Sequence, residues 1–93
     1  MVTHVVLFTL RDRADVDPTV ALLRGLEGRI PGLDGIEVGV DFAPSERSAD
    51  IALVTRHPTR EALAVYAAHP IHQEVLVHMR RVVERSVKVD FEA

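Results

Sequence analysis

Five histidines and a single tyrosine carry most of the chemistry open to this chain: His4, His57, His69, His72, His78 and Tyr66. An imidazole, with an unperturbed pKa of about 6.5, suits a general base at neutral pH. Apolar surroundings keep it neutral, because burial disfavours the charged form. A phenol within hydrogen-bond reach can polarise a carbonyl or steady a developing enolate. Such a set fits abstraction of a proton beside a carbonyl. Other chemistries lack their residues. The chain has no cysteine, no G-x-S-x-G elbow, no P-loop and no G-x-G-x-x-G. Without cysteine there is no disulfide, zinc-thiolate site or thiol nucleophile, which fits the cytoplasm as the expected location.

Spacing sorts these side chains. His72 shares a helical stripe with Val75, Leu76 and Met79, at i+3, i+4 and i+7, and is expected to point inward. Tyr66 follows Ala62 by four residues and Leu63 by three, so it faces the same way. His4 alternates with Val2 and Val6 on one face of a strand. Tyr66, His72 and His4 are therefore expected to converge between a helix layer and a sheet. Ala62, Ala64, Ala67 and Ala68 leave room there for a ligand. His69 and His57 each precede proline, which suggests a cap or turn role for the first and a structural or solvated one for the second. His69 and His72 stand at i,i+3 but have no carboxylate partner nearby, so no metal site is expected.

The elements that must position these residues follow from periodicity. Val2 to Leu10 reads as a strand apolar on both faces, which must be covered on both. Asp17-Pro18 starts a helix whose stripe is Leu22, Leu23, Leu26 and Ile30, weakened by Gly25 and Gly28 and ended by Pro31-Gly32. Ile36, Val38, Val40 and Phe42 alternate with Glu37, Gly39 and Asp41 as a half-buried strand. Ala43 to Ser48 is a polar loop, and Ala49 to Arg56 a third strand. Thr59 caps a short helix running to about Ala68, and Pro70 starts another running to about Val83. Val87, Val89 and Phe91 alternate with Ser86, Lys88 and Asp90 in a last strand. The order is βαββαβ with the second helix broken, an α+β ferredoxin-like pattern over one domain, residues 1–93.

Length and composition add a partner. Ninety-three residues of which 47% are hydrophobic bury only part of their apolar surface in one subunit. With both helices on one face, the other face of the antiparallel sheet is left apolar, and a two-fold pairing of such faces closes a dimer. A homodimer through the open sheet face is the expectation. Net charge is −3 and the arginines near Glu84 are interleaved with acid, so no nucleic-acid footprint is expected. The opening residues have no basic region and no cleavage site, and the apolar run is too short for a bilayer, so neither a secretory signal nor a membrane partner is expected.

His4-Val5-Val6-Leu7-Phe8, Tyr66-Ala67-Ala68-His69-Pro70-Ile71-His72 and Val87-Lys88-Val89-Asp90-Phe91-Glu92 together resemble the stress-responsive dimeric α/β-barrel family, Dabb. The Y-x-x-H-P-x-H segment is the most specific of the three. The resemblance implies a ferredoxin-like subunit and a dimer whose two sheets form a barrel. One plant member is a polyketide cyclase that closes a linear thioester by a C2–C7 aldol condensation without a cofactor. By that resemblance Tyr66 and His72 are catalytic, with His72 as base, and no cofactor is required. His4, Phe8 and His69 would contact a small β-keto substrate. A further pocket histidine of that enzyme aligns near Asp50, where this chain has none. Other members are described as stress-responsive, and some bind a metal through backbone oxygens at the subunit interface. Two alternatives remain open: a non-catalytic ligand-binding or stress-responsive dimer, and a cofactor-free monooxygenase, against which the absence of tryptophan weighs.

Overall fold

A computed structural model describes residues 1–93. Strand β1 (Val2–Leu10) leads through a short 3-10 turn to helix α1 (Val16–Arg24). Strands β2 (Gly35–Val40) and β3 (Ile51–His57) follow, then helices α2 (Arg60–Ala68) and α3 (Pro70–Val82) and strand β4 (Val83–Glu92). The four strands form one antiparallel sheet in the order β2-β3-β1-β4. With the two helical segments on one face, this is the ferredoxin-like arrangement that the βαββαβ order predicts.

The core lies between helices and sheet. Val16, Val20 and Leu23 of α1 meet Ile51 and Leu53 of β3, Tyr66 of α2, and Val75, Met79 and Val82 of α3. In β1, Val2 and Leu10 are buried on this side while Leu7, of opposite parity, is exposed. Register carries the division across the sheet. Val5 pairs with Val54 and Val89, and Leu7 with Ala52 and Val87, so these residues share the open face. Val87, Val89 and Phe91 all stand about half exposed there.

Several boundaries differ from the sequence expectation. Helix α1 ends at Arg24 rather than Ile30. Gly25 is its C-cap, and Gly28 takes φ +75°, a left-handed backbone that a helix cannot propagate. Leu26 and Ile30 nevertheless stay buried, delivered by turns instead of a helix. The start differs too: Asp12 caps the short 3-10 turn, accepting from Ala14 N at 2.9 Å, while α1 is preceded by Asp15 without a side-chain cap and holds Asp17 and Pro18 within its first turn. Strand β2 stops at Val40, two residues short of Phe42. Strand β4 begins directly at Val83, where α3 ends.

The broken second helix fits its sequence closely. Thr59 Oγ1 accepts from Ala62 N at 3.1 Å to cap α2. His69 is both the last cap of α2 and the first of α3. Its extended backbone (φ −64°, ψ 139°) is the conformation that a following proline imposes. Its Nδ1 accepts from Ile71 N at 3.1 Å.

Candidate functional site

At the helix-facing end of the sheet, the only tyrosine is ringed by three imidazoles. Tyr66 comes from α2, His72 from the first turn of α3, His4 from β1 and His57 from the end of β3. Ring centroids lie 4.6 Å from Tyr66 to His72, 4.9 Å to His57 and 6.4 Å to His4. The break at His69-Pro70 makes the closest pair possible, because it turns the start of α3 back toward Tyr66.

Each imidazole is held by a different partner. Nδ1 of His72 donates to the Ala67 carbonyl at 2.9 Å, which leaves Nε2 as the nitrogen with a free lone pair. Nδ1 of His4 donates to the Asp90 carboxylate, which can only accept, so Nε2 is the nitrogen left unengaged. Asp90 in turn takes Lys88 Nζ at 2.6 Å. His57 has no nitrogen to spare: Nδ1 donates to Gly32 O at 2.8 Å, and Nε2 accepts from Thr55 Oγ1 at 3.0 Å. His57 and Thr55 are fully buried.

Burial shapes the protonation of the group. Burial raises the Tyr66 phenol to about 12, so it keeps its proton and acts as a donor at neutral pH. Burial lowers His72, with the Ala67 bond opposing and the nearby His4 adding to the effect. His57 is likewise lowered by burial. Asp90 is held below the usual carboxylate range first by the Lys88 hydrogen bond and then by His4. The Tyr66 hydroxyl, in a side chain 1% exposed, has no hydrogen-bond partner. A buried, unpaired hydroxyl is uncommon in a folded protein.

Of the residues singled out in the sequence, Tyr66, His72 and His4 do come together. Phe8 does not join them. It packs on the core four rungs along β1, about 13 Å from His4 by strand geometry. His69 spends Nδ1 on the α3 cap, in agreement with its pre-proline position. Asp50, near the place of the additional pocket histidine, is structural: it accepts from Leu10 N and Arg13 Nη1, each at 2.7 Å. Two members of the site are not placed in it by the sequence reading, although His57 is expected there to be structural or solvated. Asp90 had a signal, since it alternates away from Val89 and Phe91 and so faces the helices. His57 had one too, since it shares the parity of the buried Ile51 and Leu53. The four larger hollows of the surface are lined by neither Tyr66 nor His72. A groove of Val2, Arg60, Leu63, Asp90, Phe91 and Glu92 reaches Asp90, the partner of His4. No three histidine or acidic side chains are gathered as a metal ion would require.

A ferredoxin-like subunit with a tyrosine and histidine cluster under its second helix defines the class. The chain belongs to the Dabb family, the stress responsive A/B barrel domain, whose model matches residues 2–93. It is similar in structure to a dimeric ferredoxin-like protein from Thermobifida fusca YX (TM-score 0.87, 24% identity, covering 99% of this chain and 90% of that one). A dimeric protein of ferredoxin-like fold from Bacteroides fragilis is 29% identical, with a TM-score of 0.81 over 99% of this chain and 95% of that one. The hydroxynitrile lyase of Passiflora edulis superposes with a TM-score of 0.83 over 97% of this chain and 90% of that one. At 15% identity that last likeness is one of fold alone. Comparison with curated proteins returns no match.

Proposed function

We propose that the Tyr66 cluster binds a small β-keto compound and catalyses cofactor-independent proton transfer on it, as a polyketide cyclase-like enzyme would. The observation that carries this reading is the buried Tyr66 hydroxyl, protonated and without a partner, beside imidazoles whose Nδ1 atoms are already tied. A substrate carbonyl oxygen would supply the missing acceptor. His72 Nε2 then takes the α-proton, and the electron pair moves to the carbonyl oxygen, where the Tyr66 hydroxyl steadies it. In an intramolecular aldol step the enolate carbon attacks a second carbonyl of the same chain, and the new alkoxide recovers the proton from the imidazolium. His4, fixed by Asp90, is the second base within the cluster. His69 would line the substrate's approach beside His72, while Phe8 would contact only an extended chain reaching along β1.

The test needs no knowledge of the physiological substrate. The protein should accelerate exchange of the α-protons of an acetoacetyl thioester into D2O, and His72→Ala and Tyr66→Phe should each reduce that rate by about a hundredfold or more. No acceleration over buffer, or equal rates in all three proteins, removes these residues from catalysis.

The closed packing over Tyr66 favours a second reading, a ligand-binding or stress-responsive protein without catalysis. Thioester binding that depends on Tyr66 with no exchange of its protons would select it.

We also propose a homodimer that buries the open sheet face. The supporting observations are the exposed Leu7, Val87, Val89 and Phe91 on one side of the sheet and the 29%-identical dimeric relative. A monomer in sedimentation at micromolar concentration would contradict it.

A further inference from the structure

Phe42 is 96% exposed, far more than any other large apolar side chain in the molecule. It stands two residues beyond the end of β2, at a free edge of the sheet. The alternation of β2 would have turned it toward the helices with Ile36 and Val38. Because the strand ends at Val40, it instead flanks a hollow of the open face together with Leu7, Gly39, Ala49 and Ala52. The adjoining hollow on that face is lined by Leu7, Thr9, Arg85 and Val87 and by the turn Glu46–Ala49. The two hollows share Leu7, so they are continuous.

We propose that Phe42 is the anchor of the homodimer, seated in the Leu7–Thr9–Arg85–Val87 hollow of a second copy of this chain. The inference rests on the homodimer reading above and adds to it a contact and a direction for the two-fold axis. The free edges of the sheet, β2 and β4, are unlike. A two-fold axis parallel to the strands lays β2 over the partner's β4 and keeps rungs at the same level. Val40 shares its rung with Ile51, Phe8 and Ser86, and Asp41 N bonds Asp50 O one rung beyond. Phe42 is therefore level with the first residues of β4, next to the rung where Thr9 faces Arg85. Carried across the axis, its ring meets the hollow that those residues line. The Val87 wall is apolar, and the Arg85 guanidinium offers a cation to the ring face. The opposite choice, an axis across the strands, lays β2 over β2 with its ends exchanged and leaves Phe42 in water.

A double-mutant cycle on the dissociation constant, read by sedimentation with circular dichroism as the check on folding, tests this. Phe42→Ala should weaken the dimer by about thirtyfold or more, the scale of an interface hot spot. Phe42→Leu should recover part of that loss, and Val77→Ala, on the helix side, should change nothing. Phe42→Ala and Val87→Ala should be non-additive by about threefold or more. Within one subunit these residues lie on opposite edges, three strand spacings or about 14 Å apart, so coupling between them reports contact across the interface. A dimer that Phe42→Ala leaves intact, or strictly additive effects, overturns the anchor while the dimer stands. A wild-type monomer overturns the homodimer reading, and the anchor with it.

Discussion

Tyr66 sets the character of the site because its ring and its hydroxyl answer to different needs. The ring fills the core and packs on His57 and His72. The hydroxyl gains nothing from the fold, having no partner. Leaving such a group unpaired costs about 1–3 kcal/mol. Tyr66→Phe should therefore leave stability unchanged or raise it by about 1 kcal/mol, while removing thioester binding. A thermal melt and a binding titration on the same variant check both halves. Marked destabilisation would mean that the hydroxyl serves the fold rather than a ligand. His57 is the contrasting case. Both its nitrogens are engaged, so it is a wall of the cluster and not a base.

The elements around the cluster are locked by one turn. Gly32 adopts φ +82°, and its carbonyl receives Nδ1 of His57. A Cβ at this position would lie 3.1 Å from the Ala62 Cβ in α2. Gly32→Ala thus combines left-handed strain, about 1–2 kcal/mol, with pressure on the helix that carries Tyr66. It should lower stability by at least that strain, visible as a reduced urea midpoint. The fluorescence of Tyr66, the sole tyrosine in a chain without tryptophan, should change with it. Gly28→Ala meets no neighbouring atom and should show the strain alone, with Tyr66 undisturbed. Equal spectral changes in both variants would disprove the coupling of Gly32 to the cluster.

Protonation couples the cluster to the stability of the whole molecule. His57 and His72 have folded pKa values below 6.5 because burial penalises their charged forms. Below pH 6.5 the unfolded chain takes up protons that the folded one refuses, so stability falls on acidification until the folded imidazoles titrate too. Asp90, held below 3.8 by Lys88 and His4, contributes stability above that pH and loses it as its folded carboxylate protonates. At the other end, Tyr66 keeps its proton to about 12 while the unfolded phenol ionises near 10.0, so stability falls as the pH rises through that window. Urea midpoints against pH should show a plateau from about 6.5 to 10 with a fall on either side. His57→Phe, if it folds, should flatten part of the acid limb; an acid limb identical to wild type would remove His57 as its source.

Local signals sufficed for the element order, for the caps at Thr59 and before Pro70, and for the inward direction of Tyr66, His72 and His4. Helical and strand periodicity name the face on which a side chain lies, and a face is a local property. Register is not. The bond between His4 and Asp90 joins residues 86 positions apart and exists only because β1 and β4 pair in one alignment. The hold of Gly32 on His57, the closed packing over Tyr66 and the early end of β2 that frees Phe42 likewise depend on how distant segments meet. The amino-acid pattern by itself determined which residues face the helix side of the sheet. The packed chain decided which imidazole nitrogens stay free, because that depends on carbonyls and carboxylates brought from other elements.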